Sequence, residues 1–320
     1  VFGVTLDDGR PADGVDDGRD PVPNIYATAT SAYGLQLVET KQVGNEKVRE
    51  RAKTGSPDVS WMDGQFGVGG GPGSIWRIDG RTGEATLFAD VTLDGVANSG
   101  PALGAITFDP ASRRLYVSDL QTGMVHAFDL NGQEVDRYDH GTQGRPAEDL
   151  TEVAYDPGSR VEITSPDFDV EDPKTWGFAA PARKVWGLAV FGRRLFYAVD
   201  DGPTIWSVGL QPNGDFAKDV RAEIDVQTKS GDAISGIAFS RGGTIYLSQR
   251  GAAVPTYDYE VMATPQTAQT LRYKRKTLPN GDIAWRVLPE EYAIGQSGEH
   301  RSSNGGVALG YGYDANGFIR

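Results

Sequence analysis

Apolar and polar positions recur in a strand, turn, strand order at three places along the chain. The segments are LGAITFDPASRRLYVSD, WGLAVFGRRLFYAVD and SGIAFSRGGTIYLSQ, at residues 103–119, 186–200 and 235–249. In each one, small and apolar residues come first, then turn-forming Pro, Gly, Ser or Arg, then a run of β-forming residues. Each segment therefore predicts two antiparallel strands joined by a tight connection.

A third and a fourth strand are predicted after each hairpin. The third strands, MVHAFD, TIWSV and TLRY, begin at Met124, Thr204 and Thr270. Each leads to an Asn-Gly pair, which tolerates the positive φ angles of a tight hairpin, and a more polar run follows, as in QEVDRY and IAWRVL. Four antiparallel strands in a repeat of about 45 residues are the pattern of a propeller blade.

The two ends of the chain resemble complementary parts of one more blade. NIYATAT at residues 24–30 resembles a second strand without a first, and third and fourth strands follow at 74–79 and 85–89. GGVALGYGY at residues 305–313 resembles a first strand without a second. We expect these ends to pair, because closing the ring removes the exposed edges of an open sheet.

The prediction is thus an all-β fold, a β-propeller of five or six four-stranded blades closed by pairing of the N- and C-terminal strands. One domain covers residues 1–320, with insertions at about 39–60, 166–182 and 252–268. A further blade is expected to start at Thr151, with TEVAYDPGSRVEITSP. Three alternatives stay open: a ring of four or seven blades, a two-sheet sandwich for the fold, and a short surface helix for the charged stretch at 39–53.

The charge and the cysteine count of the chain argue against several classes of function. The formal net charge of −13 argues against binding to nucleic acid or to an anionic membrane, because both need Lys and Arg to displace counterions. No apolar run has the length of a membrane-spanning helix, so membrane insertion is not expected. The absence of cysteine excludes disulfides and thiolate chemistry. Because the chain starts at Val1, we expect an extracytoplasmic protein, secreted or at the cell surface.

The repeated units resemble a known superfamily. GAITFDPASRRLYVS at residues 104–118 and GIAFSRGGTIYLS at 236–248, with third strands such as SIWRID and MVHAFD, are similar to NHL-repeat and gluconolactonase or senescence-marker-type β-propellers. Those families contain calcium-dependent lactonases and esterases as well as binding modules. In the enzymes, a divalent ion in the central channel is held by Glu, Asn and Asp side chains near the inner strand ends.

The resemblance implies metal ligands at matching positions of this chain. The candidates are Asn98, Asp119, Asp200, Asp232 and Asn304. Gln249 departs from the pattern, and no early Glu matches it. Ca²⁺ takes six to eight oxygen ligands, which a ring of blades could supply. The alternative is that each Asp after a strand is a turn residue bonded to its own backbone.

A second set of carboxylates lies near the N-terminus. DDGRPADGVDDGRD contains Asp7, Asp8, Asp13, Asp16, Asp17 and Asp20. This run could wrap calcium, although it lacks the alternating carboxylates of a helix-loop-helix site. A flexible acidic loop is the other interpretation.

Catalytic residues cannot be assigned from the sequence beyond one candidate. Of the three histidines, only His300 is a candidate general base, and His126 is expected to be structural. We therefore expect a calcium-stabilised binding or interaction module for a protein, glycan or small-molecule ligand, with a calcium-dependent lactonase or esterase as the alternative. A third option, a lyase or sugar-binding protein, would use the loop aromatics Trp61, Trp176 and Tyr257.

Overall fold

The computed structural model describes most of the chain. The described residues are 2–11, 18, 20–30, 38–51, 64, 66–99, 103–169, 172–228, 232–251, 264, 267–279, 283–288, 292–293 and 306–309. Of the metal candidates, Asn304 lies outside these residues, as do Asp13, Asp16 and Asp17 of the acidic run and the candidate base His300.

Strands account for nearly all regular structure in these ranges. In chain order they are β1 (Val4–Leu6), β2 (Ile25–Thr28), β3 (Val38–Val43), β4 (Glu46–Arg51), β5 (Ser74–Ile78), β6 (Ala85–Asp90), β7 (Thr92–Leu93), β8 (Val96–Ala97), β9 (Leu103–Asp109), β10 (Arg114–Asp119), β11 (Met124–Phe128), β12 (Glu134–Asp139), β13 (Val185–Phe191), β14 (Arg194–Val199), β15 (Thr204–Leu210), β16 (Phe216–Asp225), β17 (Ile234–Phe239), β18 (Thr244–Gln249), β19 (Gln269–Thr277), β20 (Ile283–Val287) and β21 (Tyr292–Ala293). The helical turns are short: a π-helical turn at His140–Gly144, α1 at Arg145–Ala147, and 3-10 turns at Pro157–Ser159 and Pro173–Thr175.

These strands form six antiparallel sheets. The first large sheet has the order β1-β2-β5-β6, the second β9-β10-β11-β12, the third β13-β14-β15-β16 and the fourth β17-β18-β19-β20, with β21 also paired to β19. The two small sheets are the hairpins β3-β4 and β7-β8. The all-β prediction is confirmed, and the three hairpins and their third strands lie where the sequence placed them.

The two Asn-Gly pairs that the structure describes form turns with a positive φ angle at glycine, as predicted. Asn131-Gly132 joins the third strand of the second sheet to the fourth, and Asn213-Gly214 does the same in the third sheet. Gly132 has φ +84° and Gly214 has φ +89°, which a residue with a Cβ rarely adopts. The third pair, at 280–281, lies outside the described residues.

The core is divided between the faces of successive sheets. Because side chains alternate along a strand, each inner strand contributes to two layers. On β10, Leu115 and Val117 pack with Tyr26 and Ile75 of the first sheet. Tyr116 points the other way and joins the layer between the second and third sheets. A third layer lies between the third and fourth sheets. The first strands β1, β9, β13 and β17 contact one another in series.

The expected pairing of the chain ends is wrong for the N-terminal strand. The first-strand partner of β2 is β1, with Thr5 opposite Tyr26, and β5 occupies the other side of β2. Only three residues long and exposed at Val4 and Leu6, β1 has too little hydrophobic pattern to be recognised. At the other end, residues 306–309 form no strand and 310–313 lie outside the described residues.

The blade expected at Thr151 is also wrong. Its two halves do not pair with each other: the amide of Val153 donates to the Gly141 carbonyl oxygen, whereas the amide of Ile163 donates to that of Ser99. The turn between them, capped by Asp156, is a 3-10 turn. This segment therefore belongs to a strand-free connection, residues 140–184 apart from the undescribed 170–171.

The charged stretch between β2 and β5 forms the hairpin β3-β4, where a short surface helix was an alternative. The turn is Gly44-Asn45, with φ +62° at Gly44, and a two-residue Gly-Asn connection favours a hairpin. None of the helices in the described residues has the length and apolar character that crossing a bilayer requires.

Candidate functional site

The structure brings two of the predicted metal ligands together. Asn98 Nδ2 donates a 2.7 Å hydrogen bond to Asp119 Oδ1, and both residues are buried. The backbone amide of Gln121 also donates to Oδ1 at 2.9 Å, and the Thr122 hydroxyl donates to Oδ2 at 2.7 Å. Burial raises the pKa of Asp119, while nearby His126 and these hydrogen bonds oppose the rise. Both carboxylate oxygens thus already accept hydrogen bonds from the protein.

The two other channel candidates that the structure describes, Asp200 and Asp232, have partners of their own. Asp200 follows β14 and forms an ion pair with Lys184, with 2.8 Å between Lys184 Nζ and Asp200 Oδ2. Asp232 precedes β17, and its backbone carbonyl accepts a hydrogen bond from Gln249 Nε2 at 3.1 Å. Its Oδ2 is buried without a hydrogen-bond donor among the described residues.

The described part of the acidic N-terminal run contacts residues of the first and second sheets. Asp7 is buried and accepts hydrogen bonds from Gly9 N, Asn24 N and Asn24 Nδ2 at 2.7 to 2.8 Å. Asp8 forms a 3.2 Å ion pair with Arg113. The backbone carbonyl of Asp20 accepts from Arg81. Among the residues that the structure describes, no group of three or more Asp, Glu, His or Cys side chains could hold a metal ion.

His126, which was expected to be structural, is fully buried within the second sheet. Its Nδ1 lies 2.8 Å from Glu134 Oε1, and its Nε2 lies 3.9 Å from Asp119 Oδ2. Burial raises the pKa of Glu134, but hydrogen bonds from His126 and Arg137 outweigh it and bring the pKa to about 2. A buried ring between two carboxylates stabilises the sheet and offers no open catalytic position.

A cleft of about 590 Å³ opens beside Asp200. We call the lining residues Lys184, Trp186, Asp200 and Arg250 the floor of the cleft. We call the lining residues between 159 and 181 its outer wall. The floor residues come from corresponding places in two neighbouring sheets. Asp200 N donates to the Lys184 carbonyl in the third sheet, and Arg250 N donates to the Ala233 carbonyl in the fourth. The cleft therefore lies where the first strands of these sheets begin.

Trp186 positions two cations in this floor. The ring is buried, with Lys184 Nζ 5.6 Å and the Arg250 guanidinium carbon 4.9 Å from its centroid. Lys184 Nζ also lies 5.1 Å from the Phe178 ring centroid. Contacts of this length let the negative ring faces attract the cations. The ammonium and guanidinium groups are thus held over aromatic surface in the floor of the cleft.

The outer wall is fixed to the second sheet through the network that begins at Asp119. Gln121, whose amide bonds to Asp119, accepts from Ser99 N with Oε1 at 2.9 Å. The Ser99 hydroxyl accepts from Arg160 Nε at 2.6 Å and donates to the Val161 carbonyl at 3.4 Å. The amide of Ala179 donates to the Leu120 carbonyl. Asn98 and Asp119 therefore help to place a wall of the cleft.

Three residues of the cleft floor were not predicted as site residues: Lys184, Trp186 and Arg250. The available signal was positional, because Arg250 directly follows Gln249, the position that departs from the expected acidic pattern. Trp176, an expected loop platform for sugars, is instead buried, and its indole N–H donates to the Asp169 carbonyl at 2.9 Å.

Comparisons with known proteins leave the family open. No family model matches the chain. No curated protein matches it by sequence either.

Solved structures show distant similarity. The chain is similar to the computationally designed Ika8 protein (14% identity, TM-score 0.32, covering 69% of this chain and 56% of that one). It is similar to Sqt1 of Saccharomyces cerevisiae (12%, TM-score 0.35, 70% and 48%). It is also similar to a putative 6-phosphogluconolactonase from Bacteroides uniformis (12%, TM-score 0.36, 98% and 75%). The aligned part spans about half the length of the first two proteins, and at these TM-scores none of the three defines the fold or the function.

Proposed function

We propose that this chain is an extracytoplasmic β-propeller domain that acts as a binding module and takes a small ligand in the cleft beside Trp186. The observation that carries the proposal is the cleft itself. It is concave, it is lined by aromatic surface and a few convergent charged groups, and such places are where proteins usually bind small molecules.

The propeller part of the proposal is supported by the order of the sheets. Four antiparallel sheets follow one another along the chain, their first strands are in contact, and a hydrophobic layer separates each sheet from the next. Five or six blades remain the proposed number.

Ring closure is proposed to involve the C-terminal residues. A Cβ built on Gly236 of β17 would lie 3.0 Å from the amide nitrogen of Val307. Residues 306–307 therefore pass against the first strand of the fourth sheet, where the first strand of a further blade would lie. Because β2 already has two neighbours, the added blade is separate from the first sheet.

A ligand screen with a blocked cleft tests the binding function. The panel contains neutral sugars, amines, carboxylates, phosphates, lactones and esters, and the readout is the thermal unfolding temperature. Ala180→Trp fills the cleft from its exposed wall, and Ala85→Trp on β6 is the matched control at an exposed alanine away from it.

We expect at least one compound class to raise the unfolding temperature of the wild type and of Ala85→Trp, and to lose this effect in Ala180→Trp. If no class stabilises the wild type, or if Ala180→Trp responds equally, the proposal is wrong. Turnover of a lactone or ester that requires calcium would replace the binding role with that of a hydrolase.

A further inference from the structure

The charge of the cleft is opposite to that of the chain. The chain carries a formal net charge of −13, whereas the cleft lining contains three cations, Lys174, Lys184 and Arg250, and one carboxylate, Asp200. The lining therefore carries a formal charge of +2. A cation concentration of this kind in an acidic protein attracts anions locally, because a cleft with low-dielectric walls focuses the field of its charged groups.

The three cations of the cleft lining differ in solvent exposure. Lys184 lines the cleft, and its side chain is only 11% exposed. Arg250 is half-buried over Trp186, and Lys174 is exposed at the rim. Two less exposed cations over Trp186 and a third, more exposed one suit a small anion.

The floor already accommodates an oxyanion, since Asp200 places a carboxylate 2.8 Å from Lys184 Nζ. This is the length of a charge-assisted hydrogen bond. Arg250 has a planar donor fork that matches carboxylate and phosphate oxygens. The other cation that contacts the Trp186 ring, Lys184, is a compact ammonium with three donors.

We propose that the cleft binds a small-molecule oxyanion, a carboxylate or phosphate group, between Lys184 and Arg250, and that Asp200 is an internal counter-ion that competes with the ligand for Lys184. This inference rests on the proposed binding function and adds the chemical class of the ligand. Without ligand, Asp200 neutralises the most buried cation of the floor. When an oxyanion binds, it shares or replaces that ion pair, so removal of the Asp200 charge strengthens binding.

Calorimetric titrations with malonate, inorganic phosphate and neutral malonamide at low ionic strength test this assignment. We expect malonate or phosphate to bind the wild type and malonamide not to bind. A tighter malonate complex points to a carboxylate ligand, and a tighter phosphate complex to a phosphorylated one. We expect Asp200→Asn to tighten anion binding about tenfold, and Lys184→Met and Arg250→Gln each to weaken it at least tenfold.

Two controls separate a local effect from a general one. Asp201→Asn changes the next residue, which pairs with Arg145 at 3.1 Å and does not line the cleft. Arg241→Gln removes an exposed arginine from the β17-β18 turn. Both should leave anion affinity unchanged, and circular dichroism of every variant verifies folding.

Failure of the inference can be distinguished from failure of the binding function. If a neutral compound of the screen binds in the cleft while neither anion binds, the cleft is a ligand site but the oxyanion assignment is wrong. If anions bind and Asp200→Asn fails to tighten them, or if Arg250→Gln leaves them unaffected, the counter-ion arrangement is wrong.

Discussion

Asn98 Nδ2 donates a 2.7 Å hydrogen bond to Asp119 Oδ1 at the end of β10 in the second sheet. The sequence places these two residues 21 positions apart, and their meeting was expected only if they shared a metal ion. In the structure they meet directly, and the carboxylate also fixes the turn that follows β10. The same residues thus help to orient Gln121 and, through Ser99, the wall of the cleft.

Asp119→Ala is expected to destabilise the protein strongly. The change removes the acceptor for three donors in a buried place, at a cost of about 3 kcal/mol in the free energy of unfolding. Urea unfolding measures it. Asp167→Ala, at an exposed carboxylate of the connecting segment, is the control and should change stability by less than about 0.5 kcal/mol. Equal stability of the two variants would contradict the structural role of Asp119.

Tyr197→Phe tests the polar contact between the second and third sheets. The Tyr197 hydroxyl lies 2.8 Å from that of Tyr138 and 3.1 Å from His140 Nδ1, all in a buried layer. We expect a loss of about 1–2 kcal/mol in the free energy of unfolding. Tyr246→Phe is the control, because the Tyr246 hydroxyl makes no hydrogen bond with the described residues. A neutral Tyr197→Phe would show that this contact adds no net stability.

Stability should fall on acidification because of His140. Burial, and then the charges of Arg145 and Arg183, lower the pKa of His140 from 6.5 to about 3. Below pH 6.5 the unfolded chain therefore binds a proton that the folded protein excludes. From pH 7 to pH 4.5 this contributes about 2.5 kcal/mol of lost stability.

Urea unfolding of the wild type and of His140→Gln across this range isolates the contribution of His140. The variant should show a shallower dependence on pH, by about that amount. Parallel curves would mean that His140 is not held neutral in the folded protein.

Calcium binding stays a prediction from the sequence. The structure suggests which substitutions distinguish the two predicted calcium sites. Both oxygens of Asp119 already accept protein hydrogen bonds, so the acidic N-terminal run is the remaining ligand set that the sequence predicts. We expect calorimetric binding of Ca²⁺ to chelator-treated protein to survive Asp119→Asn and to disappear when Asp13, Asp16 and Asp17 are all replaced by Asn. Loss in Asp119→Asn alone would favour the channel site, and no binding to the wild type would remove calcium from the proposal.

The hairpins were predictable from sequence because each is specified locally. Residues 103–119 and 235–249 contain the apolar and turn-forming residues that specify two strands and their connection. Asn131-Gly132 is a pair that favours a tight turn by itself. β1 was missed because its three residues gain their place from pairing with β2 and contact with β9, neither of which has a local signature. Residues 151–166 were predicted as strands for the reverse reason. Their composition is typical of strands, but their backbone amides bond to the distant residues Gly141 and Ser99 instead of to each other.

The candidate site was predictable only in part. Asp200 was selected as a metal ligand, but its partner Lys184 lies just before β13, at the end of the strand-free connection, and could not be paired with it by spacing. Trp186 and Arg250 meet across two sheets, and that contact depends on how the sheets pack. Sequence patterning specifies strands well and the relation between sheets poorly.

The strand-free connection between β12 and β13 has a consequence for how this protein can change over evolution. It supplies one wall of the cleft, while the sheets supply the floor with Trp186, Asp200 and Arg250. Insertions and substitutions in such a connection leave strand pairing intact. Under the proposed binding function, ligand selectivity would therefore change through the cleft-lining residues of this connection while the sheets are kept, and exchanging the segment between homologues would alter recognition.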